Sequence, residues 1–322
     1  MNIKTLRKIS FVIAGAAAVL AGPAVAQDFP SKSATIVVGY TPGGSNDMVA
    51  RIVGQHLATM WGHPVLIENR PGAAGAIAAT YVAKTKSDGY TLLLGPTTFL
   101  ITSAVDKKLP FEIAKDFDPV AMLASSPLAF AVATQSPIKN MADFIVEAKK
   151  EKKFGATTGI ADIVAFGYHL LTQQTGVKLE QVQYKGVEFF IDLFAGRVDA
   201  YFGSVASVSP HVHGGRARAL AVTGAERSSV LKDVPTFNEL GIKNVDLLQW
   251  WGLFAPAGTP KAVVERINRD VATVLAKREV REALEKVGAT PAPMTPPQFK
   301  AYVESESRRF EEVAKNFNLV SK

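Results

Sequence analysis

The sequence predicts an α/β protein of two lobes joined by two crossing segments, with a cleft between them. Three observations predict it. A β-α-β-α-β series runs from Thr35 to Gly95, which implies parallel strands with right-handed crossovers. A second α/β series runs from Phe154 to Thr223, interrupting the first. Extended apolar runs at Phe117–Ala124 and Leu128–Thr134, broken by Ser125-Ser126-Pro127, and the stretch Leu247–Ala255 then read as the crossings between lobes. With 322 residues, 48% of them hydrophobic, the chain has core enough for two domains at about 100–200 residues each. The divisions fall at 1–26 for a leader, 27–123 for the first part of lobe 1, 124–252 for lobe 2 and 253–322 for the rest of lobe 1.

The first element is the strand Thr35-Ile36-Val37-Val38, followed by Tyr40-Thr41-Pro42-Gly43-Gly44-Ser45-Asn46-Asp47 and a periodic helix from Met48 to Met60. Gly43 and Gly44 tolerate positive φ, and Ser45, Asn46 or Asp47 can cap the helix. The amides of the first helical turn have no intrahelical acceptor and sit at the positive end of the helix dipole. Such a turn suits an anion. Asp47 places negative charge beside it, and reads as a first-turn acid facing away. A strand at Pro64–Asn69, a turn at Pro71–Gly75, a small-residue helix from Ala76 to Lys86 and a buried strand at Tyr90–Gly95 follow. The Pro96-Thr97-Thr98-Phe99 turn falls on the same sheet edge as the opening turn.

In the second series, Met141 to Lys152 is a charged amphipathic helix. Phe154–Thr158 repeats the strand-to-turn arrangement, with the turn Thr157-Thr158-Gly159-Ile160-Ala161 before a helix ending at Gln174. Tyr184-Lys185-Gly186 and Gly203-Ser204-Val205 close two further strands, and Ala217 to Thr223 is another. Thr259 then caps a helix with Pro260 at its first position, and charged amphipathic helices follow at Glu279–Val287 and Pro297–Phe317.

The N-terminus reads as an export signal. Lys4, Arg7 and Lys8 precede an apolar run from Ile9 to Leu20, and Ala24-Val25-Ala26 is a small-x-small site predicting cleavage after Ala26 and a periplasmic protein. The net charge of +7 includes those three cations and no acid from the first 26 residues, so the remainder carries +7 − 3 = +4. Its Lys and Arg residues are dispersed among acids, which excludes a nucleic-acid reading. There are no cysteines, so disulfides, thiol catalysis and Cys-ligated zinc are excluded. Among the five histidines only His211 and His213 are close in sequence, without a carboxylate at ligand spacing. No metal and no cofactor are expected.

The enzyme case is weak: Ser136-Pro137-Ile138-Lys139 matches Ser-x-x-Lys, but the partner motifs of that pattern are missing. The turn Gly43-Gly44-Ser45-Asn46-Asp47 lacks the closing glycine of Gly-x-Ser-x-Gly, and neither a phosphate loop nor Gly-x-Gly-x-x-Gly occurs. An α/β hydrolase or transferase using Ser45 or Ser204 is the alternative reading, and a ligand-presenting sensor subunit a third.

Seven short stretches, in order and at fixed intervals, carry a resemblance. They are Pro30-Ser31-Lys32, Thr41–Asp47, Glu68–Gly75, Asp88–Gly95, Tyr184-Lys185-Gly186, Arg218–Thr223 and Gly252–Pro260. Together they make the mature chain resemble the tripartite tricarboxylate transporter receptors of the Bug family. The resemblance implies a type II periplasmic-binding-protein fold with a hinged cleft. It implies a monomer that captures a small carboxylate and delivers it to a two-component inner-membrane permease. It places the carboxylate grip on Gly43, Gly44 and Ser45, within a site of Tyr40, Pro42, Asn46, Thr97, Thr98, Phe99, Thr157, Thr158, Gly159, Ile160, Ala161, Tyr184, Lys185, Gly203, Ser204 and Val205. Relatives often have Gly-Ser near His-Leu in the second lobe, where this chain reads Thr157 to Phe166. With Phe99, Phe166, Val187 and Val205 lining the pocket, the expected ligand is a dicarboxylate with an apolar or aromatic middle. A benzenedicarboxylate such as terephthalate, or a longer aliphatic diacid, fits that description.

Overall fold

Strand β1 (Ala34–Val38) lies between β2 (Val65–Asn69) and β3 (Thr91–Pro96), parallel to both. The computed structural model describes residues 29–157, 162–184 and 188–321, so the leader and its cleavage site lie outside the described residues. Helix α1 (Ser45–Trp61) connects β1 to β2, burying Val49, Val53 and Leu57 on one face. Gly62 stops it in the left-handed region at φ 67°, its amide donating to Ala58 O at 3.0 Å. Helix α2 (Ala76–Ala83) packs Ala78, Ala79 and Val82 closely on the sheet because none of them is large.

Strand β4 (Phe117–Ala133) joins the two halves of the molecule. From Phe117 to Pro127 it pairs antiparallel with β9 (Leu248–Pro256), which in turn pairs with β3. From Leu128 to Ala133 it pairs with β7 (Ala200–Ser204) and β8 (Ala217–Val222). Parallel strands β5 (Lys153–Thr157) and β6 (Leu179–Gln183) extend the second half beyond β7. The strand order is β2-β1-β3-β9-β4-β7-β5-β6, with β8 and β10 (Thr290–Pro291) also pairing with β4. The β1–β3 group is parallel as expected, but β9 makes the whole sheet mixed.

Two elements differ from the sequence reading for physical reasons. The extended run does not break at Ser125-Ser126-Pro127, because those residues stay in register with Trp250, Gln249 and Leu248. The missing N–H of Pro127 falls where β4 changes partners. The turn at Thr97 is the start of helix α3 (Thr97–Val105). That helix is buried almost all round, so it shows no amphipathic period by which to be recognised.

Short helix α4 (Ile113–Asp116) precedes β4, and α5 (Met141–Lys150), α6 (Ile163–Thr175), α7 (Phe189–Phe194) and α8 (Val205–His213) belong to the second half. The chain ends in α9 (Lys261–Ala276), α10 (Arg278–Lys286) and α11 (Pro296–Asn316). Pro260, not Thr259, occupies the cap position of α9, and the Thr259 hydroxyl instead donates to Pro256 O at 2.7 Å. A core cluster of Phe99, Phe111, Phe117 and Phe254 fills the first half, and Phe130, Phe144, Tyr168 and Phe202 fill the second.

Candidate functional site

The turn after β1 opens to solvent: Pro42, Gly43, Gly44 and Ser45 are exposed. Gly43 has φ 85°, a conformation glycine takes without the Cβ clash. Gly44 is the N-cap of α1, and no side chain caps the helix. The first intrahelical bond is from Met48 N to Gly44 O at 2.9 Å, so the amides of Gly44, Ser45 and Asn46 precede it. These are donors suited to a carboxylate at the positive end of the helix.

Asp47 does not face away. Its carboxylate is buried within its own turn, where Oδ2 accepts from Gly43 N at 2.9 Å and from Arg51 Nε at 2.8 Å. Its Oδ1 accepts from Asn69 Nδ2 at 2.9 Å, and the same amide reaches Tyr40 O at 3.0 Å. Arg51, foremost, holds the Asp47 carboxyl down at about 2. The Gly43 amide is therefore committed internally, so the expectation of a carboxylate grip passes to the next three amides. Asn46 points its side chain elsewhere, with Oδ1 accepting from Trp251 Nε1 at 2.6 Å and tying the turn to β9.

Tyr40 forms the floor beside this turn. Its hydroxyl lies 2.5 Å from Thr98 Oγ1 and 3.2 Å from Ala74 O. Burial pushes the phenol up to about 12, opposed by Thr98, with the charge of Asp162 adding to the rise. Gly72, Ala73, Ala74 and Gly75 all have positive φ, so this neighbouring turn is left-handed through two alanines. Gly39 lets it approach: a Cβ there would stand 2.6 Å from Gly75 Cα. Thr97 is fully buried, its hydroxyl donating to Leu248 O at 3.0 Å and accepting from Trp250 N at 2.8 Å. Thr97 thus ties α3 to β9, leaving Thr98 beside the turn.

In the second half, Thr157 ends β5 and is buried, its carbonyl accepting from Tyr184 N at 2.9 Å. Tyr184 turns its hydroxyl into its own half, donating to Asp192 at 2.7 Å. Burial first, and that bond second, push its phenol up to about 12. Gly203 is buried against the ring of Tyr201, with which an added Cβ would collide. Ser204 caps α8, accepting from Ser207 N at 3.2 Å, and Val205 is buried. The predicted site residues Thr158, Gly159, Ile160, Ala161 and Lys185 lie outside the described residues, as does Val187.

The expected apolar wall needs correcting. Phe99 is 5% exposed within its aromatic cluster, Phe166 is fully buried against Phe310 with centroids 5.7 Å apart, and Val205 is 2% exposed. Phe166 packs against the last helix, α11, Val205 is buried at the start of α8, and Phe99 touches only a small cavity beside Tyr40, Ala74 and Gly75. The groups near the strand ends are instead hydroxyl-bearing: Tyr40, Thr98, Tyr201, Ser204 and Ser207. Asp162 caps α6, accepting from Val164 N at 3.3 Å, and its charge adds to the rise of both Tyr40 and Tyr201. The Tyr40 edge of one half and the Asp162 edge of the other are thus within electrostatic reach.

Sequence reasoning passed over Tyr201 and Ser207, and misjudged the direction of Asp47. Asn69 was visible as part of the Glu68–Gly75 stretch, without its role. For Ser204 the nucleophile reading finds no support in the geometry: its Oγ is engaged with Ser207, and no histidine among the described residues is its partner. Among the described residues no group of His, Asp or Glu side chains could hold a metal ion.

The profile of the "tripartite tricarboxylate transporter family receptor" matches residues 49–319. The chain belongs to that family. BugT of Bordetella pertussis is 30% identical over 302 residues, covering 92% of each chain. Among solved structures, R. palustris Rpa4515 with adipate is 34% identical with a TM-score of 0.78, covering 89% of this chain and 98% of that one. MatC of Rhodopseudomonas palustris with bound malate is 32% identical with a TM-score of 0.74, over 88% of this chain and 99% of that one. The receptor is a two-lobed α/β solute-binding protein and not an enzyme. Receptors of this family are periplasmic and serve membrane permease components. Among the described residues no helix is long and apolar enough to cross a membrane.

Proposed function

We propose that this receptor captures a dicarboxylate with an apolar middle, a longer aliphatic diacid in preference to a benzenedicarboxylate. One carboxylate sits on the amides of Gly44, Ser45 and Asn46; the other reaches the second half. The observation that carries this reading is the exposed, uncapped first turn of α1, held open by the inward-facing Asp47. Charge-assisted hydrogen bonds contribute roughly 1.5–3 kcal/mol each, so three suffice for a firm grip without an arginine. The preference for a flexible chain over a ring rests on the retreat of Phe99, Phe166 and Val205 into the core, and on the adipate bound by the Rpa4515 relative.

In this reading residues 27–123 with 253–322 form one lobe and 124–252 the other. Closure around the ligand shifts an open–closed equilibrium by differential binding, and the two-component inner-membrane permease reads the closed form. The leader is removed after Ala26, and the receptor acts as a monomer. Calorimetry with adipate, malate, terephthalate, citrate and hexanoate tests the proposal. Adipate should bind most tightly, with hexanoate much weaker. Tighter binding of citrate, or equal binding of hexanoate, would refute the dicarboxylate assignment.

A further inference from the structure

Helix α11 belongs to the first half by its packing on α3 and β4. The chain beyond it is tied there too, with Ser321 N donating to Val105 O at 2.8 Å and Lys107 pairing with Glu311 at 2.9 Å. Yet α11 also reaches α6 of the second half. Phe310 stands edge-on to Phe166, and Phe317, just past the helix end, lies over His169 with ring centroids 4.3 Å apart. Arg309 grips the segment entering β9, donating to Asp246 Oδ1 at 2.6 Å and Asn244 O at 3.1 Å. The N-terminus of α6 is Asp162 at the cleft, so any rotation of the second half that moves the cleft edge must also move Phe166 and His169 against α11.

We propose that the His169–Phe317 contact is a proton-sensitive clasp by which α11 sets the resting separation of the two halves. The chemistry lies in the third partner, Gln181 of β6. Its Nε2 is 3.4 Å from Ala165 O, which fixes the amide with its NH2 toward α6, and 3.1 Å from His169 Nε2. An NH2 group donates, so His169 Nε2 must accept and carries no proton in this arrangement. Protonation would set two donors, His169 Nε2–H and the Gln181 amide, against each other in a half-buried position. Charged groups on the packed elements are engaged elsewhere, Glu180 of β6 with Lys152 and Arg309 of α11 with Asp246 and Glu306, and burial pulls the ring's titration below the ordinary histidine value. The folded state with the clasp made therefore binds fewer protons than the released one. The clasp is fully present above about pH 6.5 and is lost as the pH falls through the lowered value.

The absence of native cysteines makes the test direct. Ile77 on α2 and Ile191 on α7 are exposed residues of opposite halves, so an Ile77→Cys, Ile191→Cys protein takes one spin label on each half. Electron–electron distances in the ligand-free protein should shift to longer values between pH 8 and pH 5. His169→Leu, which keeps the apolar stacking and cannot titrate, should abolish that shift. Phe317→Ala should lengthen the distance at both pH values. A distance that stays constant with pH in the parent protein, or an undiminished shift in His169→Leu, would overturn the proposal. Because no ligand is added, these outcomes do not depend on the dicarboxylate reading.

Discussion

The carboxylate of Asp47 accepts the amide proton of Gly43, four residues behind it, at 2.9 Å. A carboxylate of the protein's own thus occupies the near side of the turn proposed to hold the ligand's carboxylate. This orders the loop before any ligand arrives, leaving the next amides to face outward. Asp47→Asn keeps the shape but loses the charge that Arg51 and Gly43 meet. We expect a loss of about 1–3 kcal/mol in unfolding free energy, from an unpaired donor in a buried network, together with weaker carboxylate binding. Chemical denaturation and calorimetry measure the two effects. In the parent protein the Asp47 carboxyl is depressed to about 2. Its stabilisation is therefore present above the unfolded carboxyl value of roughly 4 and lost as the pH falls toward the folded one.

Gly43→Ala isolates the backbone conformation. A Cβ at Gly43 would meet nothing within 4 Å, but φ is +85°. The cost is therefore conformational, about 1–2 kcal/mol. The turn should relax rather than the core, so ligand affinity falls further than the melting temperature does. A melting temperature reduced without any change in affinity would mean that the turn does not hold the ligand.

How much of this was legible in the sequence depended on how local the cause was. The β1–α1 turn was readable because glycines, a cap position and helix periodicity all lie within a few neighbouring residues. The parallel order of β1 to β3 followed from their alternation with helices. The role of Asp47 was hidden because it requires Asn69 from the end of β2, which only strand pairing brings near. Phe99 and Phe166 looked available because an aromatic residue after a strand reads the same whether its helix faces the cleft or the core. Helix α8 escaped notice since Val205–His213 contains Pro210 and β-branched residues, which weaken local helix propensity.

Thr97 and Thr98 are adjacent, and the structure separates their roles. Thr97→Val removes a buried hydroxyl that serves both Leu248 O and Trp250 N. It should lower stability by roughly 2–3 kcal/mol through the backbone groups left unsatisfied, with little change in ligand affinity. Thr98→Val removes the partner of Tyr40 at 2.5 Å and should do the reverse. Thermal unfolding and adipate calorimetry on the two variants give the comparison. An affinity loss confined to Thr97→Val would reverse the assignment.

Gly203 offers a test of the far wall. Its backbone lies outside the left-handed region, so alanine costs nothing in conformation, yet the Cβ would run into the ring of Tyr201. The ring must turn, and overpacking of this kind costs typically about 1–3 kcal/mol. Tyr201 is buried, its ring lying along β7 against Gly203 and over Phe189, with Ala156 of β5 as its strand partner. Displacing it should weaken binding of a dicarboxylate more than binding of the matching monocarboxylate, since only the former extends to this wall. Tyr201→Phe controls for packing: it keeps the ring and loses the hydroxyl alone. If Gly203→Ala reduces adipate and hexanoate binding by the same factor, Tyr201 contributes to the fold of β7 and not to recognition of the second carboxylate.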